Sequence, residues 1–151
     1  MKYWLIKSEA NCYSIDHLKR DKSTPWEGVR NFQARNFMMN DMKVGDLALF
    51  YHSDGDPSGI IGIAKVSSKA HPDMSALNAQ DEHFDPKASK ENPIWHCVDF
   101  RFVRKFKRIL SLQEIKTDRE LKNMIVARKG NRLSITPVSG SYFSKILKIL
   151  E

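Results

Sequence analysis

The run Leu47-Ala48-Leu49-Phe50-Tyr51-His52-Ser53, the segment Asp54-Gly55-Asp56-Pro57-Ser58-Gly59 and the run Ile60-Ile61-Gly62-Ile63-Ala64-Lys65-Val66 decide the fold class. Both runs are short, apolar and bounded by turn residues, which is the pattern of buried strands rather than of a helix. The segment between them is built from Asp, Gly, Pro and Ser, the residues that reverse a chain. A β-hairpin at the centre of the molecule follows.

Upstream, Val44-Gly45-Asp46 turns the chain into the first of these strands, and Met1 to Glu9 reads as an opening strand. Tyr13 to Arg20 has the form of a short helix with Ser14 as its N-cap. Thr24-Pro25-Trp26-Glu27-Gly28 breaks that helix as a turn, and Asn31 to Met42 carries Phe32, Phe37, Met38 and Met42 at near-helical spacing. Downstream, His71 to Pro93 is polar and without period, so it is expected to be a long surface loop, a class of segment that is often functional. Ile94 to Phe106 is the longest strand expected, and Ser111-Leu112-Gln113-Glu114 is a capping box opening a helix that restarts at Asp118. Arg132 to Val138 is read as a strand. The tail, with Tyr142, Phe143, Ile146, Leu147 and Leu150, is an amphipathic helix. Hairpins interspersed with helices of unequal length predict a mixed α/β domain on a small barrel or curled sheet, one domain over residues 1–151.

Bulk properties narrow the class of function. Hydrophobic residues at 41% and charged residues at 28% describe a folded chain, and no apolar run is long enough to span a bilayer. Charge at Lys2 and Lys7 interrupts the N-terminal strand too early for the core of a secretory signal. Cys12 and Cys97 are far apart and lack a CxxC partner, which predicts a reducing compartment, the cytoplasm or, in a eukaryote, the nucleus. The net charge of +7 favours a polyanionic partner.

Three stretches carry the candidate chemistry. Trp26, Gly28, Arg30, Asn31, Arg35 and Asn36 combine an aromatic on a turn, a glycine that admits close backbone approach, and amide and guanidinium groups able to bond a base edge. Equally consistent with these residues is a Trp-anchored turn before a solvated helix. Tyr51, His52 and Ser53 set polar groups at a strand end, where a barrel mouth would lie, although His52 by itself reads first as a satisfied histidine at a strand end. Arg101, Arg104, Lys105, Lys107 and Arg108 are interleaved with aromatics, as in a phosphate-neutralising strand or an ordinary half-exposed one, and Arg128-Lys129-Gly130-Asn131-Arg132 is a cationic turn able to meet a phosphate or a plain connector. The five histidines lack the tight pairs that zinc requires, no Gly-rich phosphate loop or G-x-S-x-G turn occurs, and neither metal nor cofactor is expected.

Taken in order, YWLIKSE, YSIDHLKRD, WEGVRNFQARNFM, MKVGDLALFYHS, GIIGIAKV, DPKASKENPIWHCVDFRFVRKF and RKGNRLSITPV resemble the EVE domain family over nearly the whole chain. The resemblance implies a PUA-like fold, a small, mostly antiparallel β-barrel with packed helices. It further implies a non-enzymatic domain that reads a modified base, a 5-methylcytosine derivative in DNA or a modified RNA base, in an aromatic-lined pocket. Carried onto this chain, it implies a base pocket of Ser8, Glu9, Trp26, Gly28, Val29, Arg30, Asn31, Tyr51, His52 and Ser53. Arg128, Gly130 and Arg132 would stand beside it. Family members commonly have proline after the Ser-Glu pair, whereas Ala10 and Asn11 follow here. On this reading Trp26 supplies stacking rather than core packing, and a monomer bound to nucleic acid and not to membrane is expected. The alternative is a small amidohydrolase acting on modified nucleosides, as the related ASCH fold hosts, with Lys7 and Glu9 on one face of an extended segment. A third is a basic surface that docks acidic proteins.

Overall fold

The computed structural model describes residues 1–151. Its strands are β1 (Tyr3–Glu9), β2 (Ser23–Pro25), β3 (Leu47–Ser53), β4 (Gly59–Val66), β5 (His71–Pro72), β6 (His96–Cys97), β7 (Asp99–Ser111) and β8 (Ile135–Val138). Its helices are α1 (Ile15–Asp21), α2 (Phe32–Asn36), α3 (Leu112–Thr117) and α4 (Gly140–Leu150). Six strands form one curled sheet, a half-barrel in the order β2-β7-β4-β3-β1-β8, while β5 and β6 pair separately. The expected hairpin is the antiparallel pair β3 and β4. Only β1 and β3 run parallel, because α1, β2 and α2 occupy the crossover that a parallel pair needs.

The period of two along the strands divides the core between the faces of the sheet. Trp4, Ile6, Ala48 and Phe50 point to one side, where Ile15 and Leu18 of α1 and Ala34 of α2 cover them. Leu5, Leu49 and Tyr51 point to the other, against Ile115 of α3 and Phe143, Ile146 and Leu150 of α4. Burial on both faces is why β1 and β3 read as continuous apolar runs. Gly62 sits where β4 is sandwiched between β7 and α1. A Cβ there would meet the Arg104 carbonyl oxygen at 2.6 Å and Ile15 Cδ1 at 2.7 Å.

Local signals place most helix starts. Ser14 caps α1 by accepting from His17 N, and His17 Nδ1 accepts in return from Ser14 N. Ser111 and Glu114 form the expected capping box of α3, and Ser139 caps α4. Elsewhere the structure departs from expectation. Thr24 and Pro25 lie in a short edge strand, a place where proline is tolerated, rather than in a free turn. The helix begun at Phe32 widens into a π turn over Phe37–Asp41. No helix restarts at Asp118; its side chain accepts from Glu120 N and Leu121 N, which closes a turn instead. The strand expected over Ile94 to Phe106 is split at Val98 and extends to Ser111. The long loop is packed rather than free, with Asp73, Ser75 and Ala76 buried. No helix is long and apolar enough to cross a membrane.

One buried carboxylate ties the start of the chain to the sheet. Asp46 accepts from Trp4 Nε1 at 3.1 Å, from Lys43 N at 3.0 Å and from Lys2 N at 3.2 Å. Asp46→Ala strands the indole N–H in the core, so it is expected to lower stability by about 2–4 kcal/mol in a urea titration with unchanged slope.

Candidate functional site

A cleft of about 680 Å³ opens at the C-terminal end of β1, in the size range of small-molecule sites. Lys7, Ser8 and Glu9 of β1 form one wall, with Cys12 and Tyr13 from the turn that follows. Residues 24–30 form the second, and Glu82 and His83 close the third. Of the residues expected in a base pocket, Ser8, Glu9, Trp26, Gly28, Val29 and Arg30 line this cleft.

The second wall is shaped by Asp73, which is buried. Its carboxylate accepts from Gly28 N at 2.9 Å, from Arg30 Nη1 at 2.9 Å and from Ser75 N at 2.9 Å. Burial alone pushes that carboxyl up, but the bonds from Ser75, Arg30 and Gly28 outweigh it and hold it below the ordinary range. Arg30 also donates to the His83 carbonyl at 2.7 Å and to Ser75 Oγ at 3.1 Å. Its guanidinium is a brace between two loops rather than a free reader of base edges. Gly28 has φ +88°, and a Cβ on it would fall 2.9 Å from His83 Cε1, so this position needs glycine to let the imidazole lie across it.

Trp26 has a role that corrects the expectation of pure stacking. It is only 8% exposed and meets Tyr13, Phe50 and Phe100 edge to face at centroid distances of 6.3, 5.7 and 5.4 Å. Its backbone N–H donates to Val98 O, continuing the edge-strand ladder that carries the ring inward. The tryptophan is core and cleft wall at once.

Four expected pocket residues lie elsewhere. Asn31 is the N-cap of α2, its Oδ1 accepting from Ala34 N at 3.0 Å. Tyr51 is buried on the α3 and α4 side of the sheet, as its odd position in the strand requires, with Lys7 Nζ 5.9 Å above its ring. His52 Nε2 accepts from Ile15 N at 3.1 Å, so the imidazole serves the start of α1. Ser53 ends β3 and does not line the cleft. Conversely, Tyr13, Thr24, Glu27, Glu82, His83 and Ser134 line it without having been singled out. Glu82 and His83 belong to the long aperiodic loop, which the sequence marked only in general as a candidate.

The cationic strand is largely paired. Arg104 meets Glu151 at 2.9 Å, Lys105 meets Asp16 at 2.9 Å and Arg108 meets Glu114 at 3.1 Å, which leaves Arg101 and Lys107 exposed without an acidic partner. Arg128, Gly130 and Arg132 are exposed beyond the cleft, two residues before Ser134 enters its lining.

Residues 2–149 match the EVE domain family model. The chain belongs to the EVE domain family. It is 41% identical to thymocyte nuclear protein 1 of Gallus gallus, covering 99% of this chain and 69% of that protein. It is 38% identical to the Homo sapiens protein of that name, covering 99% and 74%. A hypothetical protein from Leishmania major superimposes with TM-score 0.94 at 46% identity, over 99% of this chain and 94% of that one. Human THYN1 protein in complex with 5-methylcytosine-containing DNA superimposes at 0.91 and 38% identity, over 100% and 98%. A YTH domain from Zygosaccharomyces rouxii shares the fold alone, at 0.55 and 14% over 99% and 86%.

The ionisable groups of this EVE domain's cleft are mixed in sign. Burial pushes the Lys7 ammonium down and the Tyr13 phenol up to about 12, the latter helped by its bond to Asp21. Shelter in the cleft, then the charge of Asp73, raise the Glu27 carboxyl. Lys7 and Glu9, the pair considered for hydrolysis, both face the cleft, and no ion pair joins them. Away from the cleft, Cys97 Sγ lies 3.9 Å from Nδ1 and 4.0 Å from Nε2 of His71, whose Nε2 meets Asp99 at 2.7 Å. Burial, then Asp73, Glu27 and Asp99, push the thiol far up. A thiolate nucleophile is disfavoured there.

Trp26→Ala is expected to cost about 3–5 kcal/mol, as a core aromatic deletion does, and thermal unfolding checks it. His52 gives a pH signature. Burial, the largest influence, lowers its imidazole below the usual 6.5, so the unfolded chain takes up a proton that the folded chain refuses. Its contribution is therefore full above pH 6.5 and shrinks as the pH falls. The stability of the wild type relative to His52→Gln should decline from pH 7 to pH 5 in paired denaturant titrations.

Proposed function

We propose that this chain is a non-enzymatic, monomeric nucleic-acid-binding module that draws one modified base, of the 5-methylcytosine type in DNA, into the cleft beside Trp26. The observation that carries the reading is the lining of the cleft. Two aromatic walls, Tyr13 and Trp26, stand with the carboxylates of Glu9 and Glu27 and the ammonium of Lys7. Carboxylates accept from the exocyclic amino group of cytosine, and aromatic walls hold a base by its faces. The complex of human THYN1 protein with 5-methylcytosine-containing DNA supports the same ligand class for a domain that superimposes on this one throughout.

The magnitudes are consistent. Taking a base out of a duplex costs a few kcal/mol, against which one aromatic stack returns roughly 1–3 kcal/mol and polar bonds to the base edge the remainder. A methyl group placed in an apolar corner adds about 1 kcal/mol, enough for a preference of about fivefold rather than for absolute selection. A modified RNA base is the related ligand. Free thiols at Cys12 and Cys97 suit a reducing compartment, the cytoplasm or nucleus.

For the backbone track we favour Arg128 and Arg132, with Gly130 between them, over Arg104, Lys105 and Arg108, whose charges are already met by Glu151, Asp16 and Glu114. Arg101 and Lys107 extend the unpaired set.

A second reading rests on Lys7, whose lowered ammonium at a cleft wall is a feature of amine catalysts. Release of a small product from modified cytidines by the pure protein would select it. The binding reading is tested with duplexes and single strands carrying methylated or unmodified cytosine and adenine across a salt series. A methylcytosine duplex should bind about fivefold more tightly than its unmodified twin, and equal affinity across the panel overturns the reading. Arg128→Gln with Arg132→Gln should reduce the salt slope by up to about two, and Arg104→Gln with Lys105→Gln by less.

A further inference from the structure

Phe32, the first residue of α2, is 56% exposed, yet its ring is held in place. It stacks on Trp95 with centroids 4.6 Å apart and planes at 15°, and Trp95 is buried with its Nε1 donating to Asp85 at 2.8 Å. The Arg35 guanidinium lies 4.7 Å from the Phe32 centroid and 5.8 Å from that of Trp95. Were it on the face of Phe32 opposite Trp95, its distance to Trp95 would be nearly twice that to Phe32. Arg35 therefore stands beside the pair, and the outward face of Phe32 is open.

The arrangement is set rather than incidental. Arg35 donates to the Ile94 carbonyl at 2.8 Å and to Asn36 Oδ1 at 2.8 Å, and no carboxylate neutralises it. Ile94 has φ +64°, a conformation that a β-branched residue rarely adopts, and Trp95 N donates back to Pro93 O at 2.6 Å in a tight turn. That turn presents Trp95 to Phe32 and a carbonyl to Arg35 together. Trp95 also has the Arg30 guanidinium 5.2 Å from its ring, and Arg30 lines the cleft.

We propose that Phe32 and Arg35 form a stacking platform that takes an unpaired base next to the captured one, with Arg35 facing the phosphate between them. The proposal rests on the base-capture reading for its register along the strand. An open aromatic face beside an unpaired guanidinium is the pairing that single-stranded nucleic acid uses. The net charge of +7 and continuity with the cleft favour that polyanion over an apolar protein partner.

The test uses the full chain with a methylcytosine duplex carrying 2-aminopurine beside the modified base, and an unmodified single strand as a second arm. Phe32→Leu keeps apolar cover over Trp95 but removes the ring, Phe32→Tyr keeps the ring, and Arg35→Gln leaves both rings in place. Wild type and Phe32→Tyr should quench the 2-aminopurine, and Phe32→Leu should not while binding about five- to fiftyfold more weakly. Arg35→Gln should bind more weakly with a salt slope reduced by about one. Unchanged affinity of Phe32→Leu in the duplex arm, with wild-type preference for methylcytosine intact, overturns the platform and spares the cleft. If wild type shows no such preference, the base-capture reading fails. The single-strand arm then decides the platform, equal affinity of wild type and Phe32→Leu overturning it.

Discussion

The cleft depends on the buried carboxylate of Asp73. It holds the backbone of Gly28, the guanidinium of Arg30 and the start of the loop that ends in Trp95. Ion pairs of this kind add little net stability over an apolar replacement, since desolvation offsets attraction, but removing one partner is costly. Its value here is positional. Two segments that share no strand pairing are fixed against each other, so the walls carrying Trp26 and His83 stand at a set separation before any ligand arrives. A wall that is already ordered loses little entropy on binding.

The same economy governs Trp26. A tryptophan on a mobile turn would have to be ordered for each ligand, whereas this ring is locked edge-on by Tyr13, Phe50 and Phe100. The edge-on geometry is favoured by the ring quadrupoles. On the proposed reading rigidity and recognition are one property of the residue, and a loss of binding on its deletion has to be read against the loss of packing.

Much of the fold was legible because its determinants are local. Turn residues bounded the hairpin of β3 and β4, a Ser cap announced α1, the S-x-x-E box announced α3, and apolar periodicity announced α4. The cleft was only half legible because its determinants are long-range. Arg30 and Asp73 are 43 residues apart, and nothing near either residue announces the other. Local rules were nonetheless available for two of the misplaced residues. Asn31 precedes a helix and is a preferred N-cap, and Tyr51 shares the parity of Leu49, so period two sends it to the opposite core. His52 was less accessible, since its partner Ile15 lies on a different element.

Charge shows the same division between what composition states and what geometry permits. The count of +7 treats every cation as free, but three on β7 are already met by Glu151, Asp16 and Glu114. Exposed pairs of this kind are worth at most about 1 kcal/mol, so a phosphate can displace the acid. What it gains is then the difference between two similar attractions, and the displaced carboxylate remains nearby as a repulsive neighbour. An unpaired cation such as Arg35 or Arg132 gives up only mobile counterions on the same contact. On the proposed reading the strand with the most positive sequence is therefore the weaker anchor, and the unpaired arginines are the stronger ones.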